Sequence, residues 1–498
     1  MDFLQANLMA VLDPVVLLCI LAGSLVGLFI GAVPGLGAMV AVTLFLPVSF
    51  LLPPLPAILL LLAVYQASEY GGCISSIVIG VPGTDSSVAS LMDGYPMAQS
   101  GKPGKALGYS LYASTFGAVV GSLALLFFAA PMASFALRMS YPEYFLVGLL
   151  GVISVAVISG EEFSKGIIAG CLGLMVGTVG MDLITGSPRF TAGSMELYSG
   201  FTLVAVIVGM FAFSELMSMV QGGPNKRADL KDLVLSTSLS FQEWKSTLKA
   251  SVAGSAIGSI VGIFPGTGAG TASWLGYSAA KGLSKTPKRF GRGAPEGIAG
   301  PESACNAAVG GAIVPLLALG IPGSGVIAVV MGAFIIHGII PGPHIFNRNP
   351  DLTYGLLVGF LFTSVTMFLC GKLLTPVFAR VLKIPLYYLI SVVLIVALIG
   401  IYISGRSFFD IGVAITIGSI AFFLKEFNFP LPAFVIAFIL SGILEENFRR
   451  ALLISGGSPM IFIQRPFSLA LVIFIVVVIT VMLHLTRRQQ SKNKDKVA

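Results

Sequence analysis

The chain has 498 residues, of which 56% are hydrophobic and 10% are charged, and its formal net charge is +7. Soluble domains carry about 25% charged residues, so this composition excludes a soluble globular protein. Long, continuous apolar runs predict an all-α polytopic membrane protein and exclude a β-barrel, whose strands alternate at period two. The basic residues lie in short loops and the tail, so the positive charge indicates membrane topology and not nucleic-acid binding.

The predicted elements form two similar halves, with about eleven spans and two re-entrant hairpins in total. Membrane repeat 1 covers residues 1–220, with apolar elements at 15–33, 39–50, 58–80, 88–91, 107–130, 144–159, 166–181 and 201–220. A polar connector, 221–249, precedes membrane repeat 2, 250–450, whose later spans are 354–374, 386–403, 411–423 and 433–444. An extra C-terminal helix lies within 451–486, and a basic tail covers 487–498.

Two Pro/Gly motifs occur once in each half. Residues 31–38, GAVPGLGA, recur 231 residues later as 262–269, GIFPGTGA. Residues 80–84, GVPGT, recur 240 residues later as 320–324, GIPGS. Paired Gly/Pro interruptions at corresponding places in two halves are typical of a transporter's binding site. We therefore predict a re-entrant hairpin and a broken helix in each half.

The loop charges predict that the two halves are inverted. The loop after the first motif, 51–56, carries no charge, whereas its counterpart, 281–292, carries five basic residues. After the second motif the bias reverses, because Lys102 and Lys105 follow it in the first half and only Arg348 follows it in the second. Under the positive-inside rule, equivalent loops then lie on opposite sides, with the N-terminus outside and the connector and tail in the cytoplasm. The alternative is that each hairpin makes two ordinary crossings.

The broken segments supply the candidate substrate- and ion-binding residues. Proline removes a backbone donor and glycine permits positive φ, so polar backbone groups are exposed where they must face a cavity, a ligand or an ion. Helix N-termini after the breaks suit an anion, and freed carbonyls and hydroxyls suit Na⁺. Simple kinks between packed helices are the alternative interpretation. The candidates are Pro34, Gly35, Gly37, Gly83, Thr84, Asp85, Ser86, Ser87, Gly266, Thr267, Gly268, Asn306, Gly323, Ser324 and Gly325.

Acidic residues near the breaks have open roles. Asp85 either binds an ion or proton or caps a helix N-terminus. Glu69 is expected to be buried or to face a cavity, whereas Glu215 at a span end is expected to be interfacial. Asn306 either binds substrate or caps the second broken helix.

The sequence gives no indication of catalysis. Its five cysteines are odd in number and lack metal-ligand spacing, so neither a disulfide framework nor a zinc site is expected. We expect no catalytic residues and no cofactor besides a coupling ion, Na⁺ or H⁺. No basic segment precedes the first apolar run, so we expect that run to be retained and not cleaved as a signal peptide.

Taken together, the motifs resemble those of the TctA family, the large membrane subunit of the tripartite tricarboxylate transporters. The residues that carry the resemblance are 31–38, 70–72, 80–83, 93–98, 262–269, 301–302, 320–325, 337–338 and 341–343. The chain departs from the family pattern at Asp85, where a small residue is frequent, and at Cys305, where asparagine is usual.

The resemblance implies a bacterial inner-membrane permease. It would work with a small membrane subunit (TctB-like) and a periplasmic solute-binding protein (TctC-like), and would import a di- or tricarboxylate such as citrate with a coupling cation. No ATP-binding motif occurs, which agrees with secondary transport. By analogy with elevator-type transporters, the broken segments would form a moving domain on a scaffold.

Two other functions are compatible with parts of the sequence. A channel or exporter for small organic anions would carry flux without a binding protein. An intramembrane hydrolase could use Asp85, Glu69 or Ser87, but the chain lacks a second aspartate in a Gly-x-Gly-Asp context and leaves the repeat unexplained.

Overall fold

The computed structural model describes residues 2–158, 163–182, 184–222, 236–378 and 386–480. Over these residues the chain is mostly helical, and the β structure they contain is a short antiparallel pairing of Gly180–Met181 with Pro188–Arg189. Ten helices in this part of the chain are long and apolar enough to cross a membrane, and five shorter apolar helices accompany them. The predicted all-α polytopic membrane fold is confirmed.

The helices of the first half are α1 Asp2–Val11, α2 Pro14–Gly31, α3 Gly37–Ser49, α4 Pro54–Ile79, α5 Ser87–Gln99, α6 Pro103–Ala136, α7 Tyr141–Ile158, α8 Phe163–Gly177, α9 Leu203–Val208 and α10 Ser214–Gly222. A π-helical turn, Gly209–Phe213, joins α9 to α10. Those of the second half are α11 Phe241–Ile263, α12 Gly268–Leu283, α13 Glu296–Leu319, α14 Gly325–Ile336, α15 Ile345–Arg348, α16 Pro350–Phe378, α17 Leu386–Gly405, α18 Phe408–Glu426, α19 Leu431–Ile454, α20 Ile461–Gln464 and α21 Pro466–Thr480. Short 3₁₀ turns lie at Glu196–Ser199 and Pro287–Arg289.

The two GxxPGxGA motifs form turns with the same backbone conformation. Gly35 has φ 90° and Gly37 has φ 62°, and their counterparts Gly266 and Gly268 have φ 86° and 66°. These values lie in the left-handed region, which residues with a Cβ adopt only at a cost. Each turn separates a long helix (α2 or α11) from a shorter one (α3 or α12).

The GVPG and GIPG motifs also form matching breaks. Gly80 ends α4 with φ 72°, and Gly320 ends α13 with φ 75°. Three residues further on, Gly83 donates its N–H to the carbonyl of Gly72 at 3.2 Å, and Gly323 donates to the carbonyl of Ala312 at 3.2 Å. The chain thus folds back onto the helix it has just left before α5 or α14 begins.

Glycine stripes bring α2 against α4 and α11 against α13. A Cβ added at any of six glycines would overlap a backbone carbonyl of the neighbouring helix. Small residues at this spacing let membrane helices approach closely. The contacts are Gly23, Gly27 and Gly31 of α2 with Leu60, Val64 and Ser68 of α4, and Gly254, Gly258 and Gly262 of α11 with Gly300, Ala304 and Ala308 of α13.

Helices α4 and α13, here called the central helices, are almost wholly buried and contact each other. The Cys305 thiol on α13 donates to Glu69 on α4 at 3.4 Å, and the Cys73 thiol on α4 donates to Glu302 on α13 at 2.6 Å. From Glu69 to Cys73 the residue number rises along α4, whereas their partners, Cys305 and Glu302, follow a falling number along α13. The two helices therefore run in opposite directions at this contact.

The long helices α6 and α16 each pack on the central helix of the other half. Gly117 and Gly121 of α6 lie against the backbone of Ser303 and Ala307 in α13. On the other side, the Tyr70 hydroxyl of α4 lies 2.9 Å from the Thr375 hydroxyl of α16. This exchange joins the halves into one packed body.

The described part of the predicted connector, 221–249, includes the start of a helix. Helix α11 begins at Phe241, inside the predicted connector 221–249, because Ser240 and Glu243 form a capping box. The Ser240 side chain accepts from the Glu243 N–H at 3.3 Å, and the Glu243 carboxylate accepts from the Ser240 N–H at 2.8 Å. Residues 223–235 of the connector, residues 481–486 of the predicted extra helix and the basic tail lie outside the described residues.

Candidate functional site

All four broken segments line one cavity of about 770 Å³. The first hairpin contributes residues 35–40, the first break 82–86, the second hairpin 266–271 and the second break 324–326. Ligand pockets typically have volumes of about 300–1,000 Å³, so the space suits a small organic molecule. The rest of the wall comes from α4, from the π-helical turn with α10, and from residues 425–432 at the junction of α18 and α19.

Eleven of the fifteen candidate residues line this cavity. They are Gly35, Gly37, Gly83, Thr84, Asp85, Ser86, Gly266, Thr267, Gly268, Ser324 and Gly325. The other four, Pro34, Ser87, Asn306 and Gly323, are not part of its wall.

Three of these four residues make structural contacts instead. The Ser87 hydroxyl donates to the Thr84 carbonyl at 2.7 Å and accepts from the Ser76 hydroxyl at 2.8 Å. Asn306 is buried within α13 and donates to the Glu302 carbonyl at 3.2 Å, so it is neither at the cavity wall nor a cap. The Gly323 carbonyl accepts the N–H of Gly266 at 2.9 Å, which ties the second break to the second hairpin.

Four helices begin at the cavity. The first residues of α3, α12 and α14 belong to its wall, and Ser86 and Val88 place the start of α5 there too. The first N–H groups of a helix have no partner within that helix, and the N-terminus carries the positive end of the helix dipole. Four such ends around one space make it favourable for an anion.

The hydroxyls at these ends mostly bond to the protein itself. The Thr267 hydroxyl donates to the Val261 carbonyl at 2.6 Å, so its proton is directed back into the hairpin. The Ser324 oxygen caps α14 by accepting from the Ile327 N–H at 3.2 Å, and it lies 3.5 Å from the Tyr65 hydroxyl. Both hydroxyls therefore have partners within the protein.

A chain of side chains leads from the first break to Glu69. The Thr84 and Ser86 hydroxyls are 2.9 Å apart, and the Ser86 hydroxyl donates to Oε2 of Glu69. The same oxygen accepts from the Cys305 thiol at 3.4 Å. Glu69 is only 5% exposed, and it also lines the cavity. It was expected either to be buried or to face a cavity, and it does both.

Asp85 is exposed in the cavity wall next to the second hairpin. Helix α5 begins after Ser86, and no side-chain oxygen caps it. The helix-capping role considered for Asp85 is therefore not observed.

Sequence reasoning missed an ion pair in the cavity wall. The ammonium group of Lys425 on α18 pairs with the carboxylate of Glu215 on α10, and both residues line the cavity. Glu215 was expected at an interface and Lys425 was not considered, because both stand near helix ends, where charges are common. The residues that flank them in sequence give no signal that the fold brings them together. Lys425 is the one basic side chain among the described residues of the cavity wall.

Two buried carboxylates outside the cavity hold the surrounding helices together. Glu302 accepts from the thiol of Cys73 and from the hydroxyls of Ser90 and Ser114, which belong to three different helices. Asp93 of α5 accepts from the backbone N–H groups of residues 292, 293 and 294 at 2.7–3.1 Å and from the Tyr277 hydroxyl at 2.9 Å. These contacts fix α5 against the second half.

The described residues contain no cluster of three or more His, Cys, Asp or Glu side chains that could hold a metal ion. The five cysteines are free.

Comparisons with known proteins find a matching family and similar proteins. The model of the tripartite tricarboxylate transporter TctA family matches residues 17–436. An uncharacterized 52.8 kDa protein in the TAR-I ttuC′ 3′ region of Agrobacterium vitis is 35% identical over 462 residues, which are 92% of this chain and 91% of that protein. An uncharacterized protein in the TAR-II ttuC′ 3′ region of the same organism is 37% identical over 200 residues, 40% of this chain and 83% of that protein.

No solved structure matches the chain significantly. The family match covers most of the sequence, including all four broken segments, and the similarity to the first relative extends over nearly the whole of both chains. The chain therefore belongs to the TctA family of tripartite tricarboxylate transporters.

Proposed function

We propose that this chain is the permease subunit of a binding-protein-dependent secondary transporter that imports a di- or tricarboxylate together with a coupling cation, Na⁺ or H⁺. The role is transport and not catalysis. The observation that carries the proposal is the convergence of four helix N-termini on one cavity. Such ends bind carboxylate groups through backbone N–H donors and the helix dipole.

The cavity suits a substrate with more than one carboxylate. Helix N-termini from both halves of the chain line the cavity, and Lys425 adds a cationic group on the side formed by α18 and α19. A carboxylate of the substrate that displaced Glu215 from Lys425 would form a charge-assisted hydrogen bond. A second carboxylate would then reach the N-termini of α5 and α14.

The proposed inverted repeat explains why the wall is built this way. It is supported by the matching φ values of the hairpin glycines, by the matching breaks at Gly80 and Gly320, and by the opposite directions of α4 and α13. In transporters with such repeats, alternating access is largely a movement of one bundle against another around a fixed site. The hairpins and broken helices would move, and the remaining helices would form the scaffold.

The partners follow from the family. Tripartite transporters comprise a permease, a small membrane subunit and a solute-binding protein, so we propose a TctB-like and a TctC-like partner for this chain. The location would be the bacterial inner membrane, with the N-terminus outside and the basic tail in the cytoplasm, as the loop charges indicate.

Uptake in proteoliposomes tests the proposal. The full chain is reconstituted with its proposed partners, and labelled citrate, succinate and acetate are offered under an imposed Na⁺ or H⁺ gradient. We expect concentrative uptake of citrate or succinate, dependence on one gradient and on the binding protein, and no uptake of acetate. Flux that needs neither the binding protein nor a gradient would instead indicate a channel or exporter.

A further inference from the structure

The charges in the cavity wall oppose the proposed substrate. Three carboxylates, Glu69, Asp85 and Glu215, line the cavity along with Lys425. Lys425 already pairs with Glu215, so Glu69 and Asp85 remain to repel an anion. A transporter for carboxylates with this wall needs a positive charge at one of the two remaining acids when the substrate binds.

Glu69 is the more enclosed of these two acids. It is 5% exposed, whereas Asp85 is exposed to the cavity. A buried carboxylate is costly unless it is paired, because removal from water penalises its charge. No ion pair of Glu69 is found within the described part of the chain, and its partners are the neutral hydroxyl of Ser86 and the thiol of Cys305.

The groups that face Glu69 from the neighbouring elements are neutral or acidic. Tyr65 lies one turn earlier on α4, Asp85 lies in the break, and Glu302 and Cys305 lie on α13. None of these residues supplies a counter-ion. Binding of one cation at Glu69 would therefore reduce the electrostatic repulsion among these groups.

We propose that Glu69 is the binding site of the coupling cation, and that neutralisation of its carboxylate admits the substrate to the cavity. This inference rests on the proposed transport function and deepens it. The cation is a proton on Oε2 or an Na⁺ held by the carboxylate and nearby oxygens. Both remove the repulsion in the same way.

The hydroxyl chain links the cation to the substrate side of the site. Ser86 donates to Glu69 and also contacts the Thr84 hydroxyl, and it immediately precedes α5. A cation at Glu69 displaces or redirects the Ser86 hydroxyl, which changes the donors that the start of α5 presents to the cavity. Binding of the cation and of the carboxylate are thereby coupled through three adjacent side chains.

Glu302 provides a matched comparison. It is as buried as Glu69, lies at the same contact between α4 and α13 and has only neutral hydroxyl and thiol partners, but it does not line the cavity. A substitution there tests the effect of losing a buried acid without touching the cavity wall.

The experiment compares Glu69→Gln with Glu302→Gln in proteoliposomes that contain the full chain and its proposed partners. Two assays are used: gradient-driven accumulation of labelled citrate or succinate, and exchange of labelled for unlabelled substrate without a gradient. One coupled proton supports about tenfold accumulation per pH unit of gradient, since a tenfold ratio equals 1.4 kcal/mol. We expect Glu69→Gln to abolish accumulation while exchange persists, because glutamine mimics the neutralised acid. Glu302→Gln leaves Glu69 intact and is expected to retain both accumulation and exchange, with a shift in the cation concentration for half-maximal uptake because a neighbouring negative charge is lost.

Uptake by the unsubstituted protein under an Na⁺ gradient alone and under an H⁺ gradient alone identifies the coupling cation. Glu69→Gln is expected to remove the accumulation that this gradient drives. If Glu69→Gln fails to assemble, Ser86→Ala serves instead and is expected to shift the cation concentration for half-maximal uptake. Accumulation that survives in Glu69→Gln, or an unshifted cation dependence in Ser86→Ala, overturns the inference. If the unsubstituted protein takes up no carboxylate, the proposed function itself fails.

Discussion

The N–H of Gly266 in the second hairpin donates to the carbonyl of Gly323 in the second break at 2.9 Å. This bond connects two segments that are separated by the whole of α12 and α13. It holds the hairpin turn beside the start of α14, so that both face the same cavity.

Gly323→Ala should disrupt this arrangement. An added Cβ would lie 2.6 Å from Cα of Ala312 and 2.9 Å from the carbonyl oxygen of Gly262, and neither backbone atom can move freely. Overpacking of this kind costs about 1–3 kcal/mol. We expect a lower Tm and a loss of substrate uptake, measured on purified protein and in proteoliposomes.

Gly282→Ala is the matched control, because nothing lies within 4 Å of the Cβ that it would add. Its uptake and Tm should stay at the level of the unsubstituted protein. Equal behaviour of the two variants would refute the proposed role of the Gly266–Gly323 contact.

Substitution of Lys425 should weaken substrate binding. A hydrogen bond to a charged group contributes about 1.5–3 kcal/mol, so Lys425→Gln should raise the KM for citrate or succinate by about ten- to a hundredfold. Glu215→Gln should lower the KM, because it frees the lysine from its partner. Initial rates of uptake over a range of substrate concentrations provide the measurement.

The double variant Lys425→Gln with Glu215→Gln separates lost attraction from new repulsion. The single lysine variant leaves Glu215 unpaired in the wall, whereas the double variant leaves no unpaired charge from this pair. A KM that stays unchanged in all three variants would show that the pair lies outside the substrate's reach.

Asp93→Ala should loosen the attachment of α5 to the second half. The Asp93 carboxylate is fully buried and accepts three backbone N–H groups of residues 292–294. Of these three donors only the N–H of Ala294 is buried, and a buried donor left without a partner costs about 1–3 kcal/mol. We expect a lower Tm and faster proteolysis after the basic residues of 281–292. Tyr277→Phe removes a single hydrogen bond to Asp93 and should cost only about 1 kcal/mol.

The loop between α8 and α9 should show a defined dependence on pH. The Thr185 N–H and the Arg449 guanidinium hold the pKa of Asp182 well below its usual range, with further help from the Ile184 N–H. Because the folded-state pKa is below the unfolded value of about 3.9, the stabilisation is present above about pH 4 and is lost as the pH falls through the folded-state pKa.

Asp182→Asn therefore should lower the Tm at pH 7, and the difference from the unsubstituted protein should shrink as the pH falls below about 4. Thermal unfolding at a series of pH values measures this. A difference that is constant between pH 7 and pH 3 would mean that the charge of Asp182 does not stabilise the loop.

The broken segments could be predicted from sequence because their chemistry is local. Pro34 and Gly35, like Pro265 and Gly266, interrupt an apolar run whatever surrounds them, and the repetition of the motifs places the breaks in pairs. Their assembly around one cavity was an expectation from the paired motifs, and the structure brings eleven of the candidate residues together there.

Other parts of the site depend on contacts between distant segments. The pairing of Lys425 with Glu215 joins residues 210 positions apart, and the contact of Ser87 with Ser76 turns a candidate ligand inward. Nothing in the local sequence indicates either arrangement. By contrast, the start of α11 at Phe241 carried a local signal, the capping box of Ser240 and Glu243, which the charge of the connector obscured.

The central claim is that segments from both halves bind one carboxylate substrate in one cavity. Protection of Thr84→Cys and Ser324→Cys from a thiol reagent, in a background where the five native cysteines are replaced, tests this most directly. We predict that citrate or succinate slows the labelling of both cysteines with the same concentration dependence. Protection of only one of them, or of neither, would contradict the account.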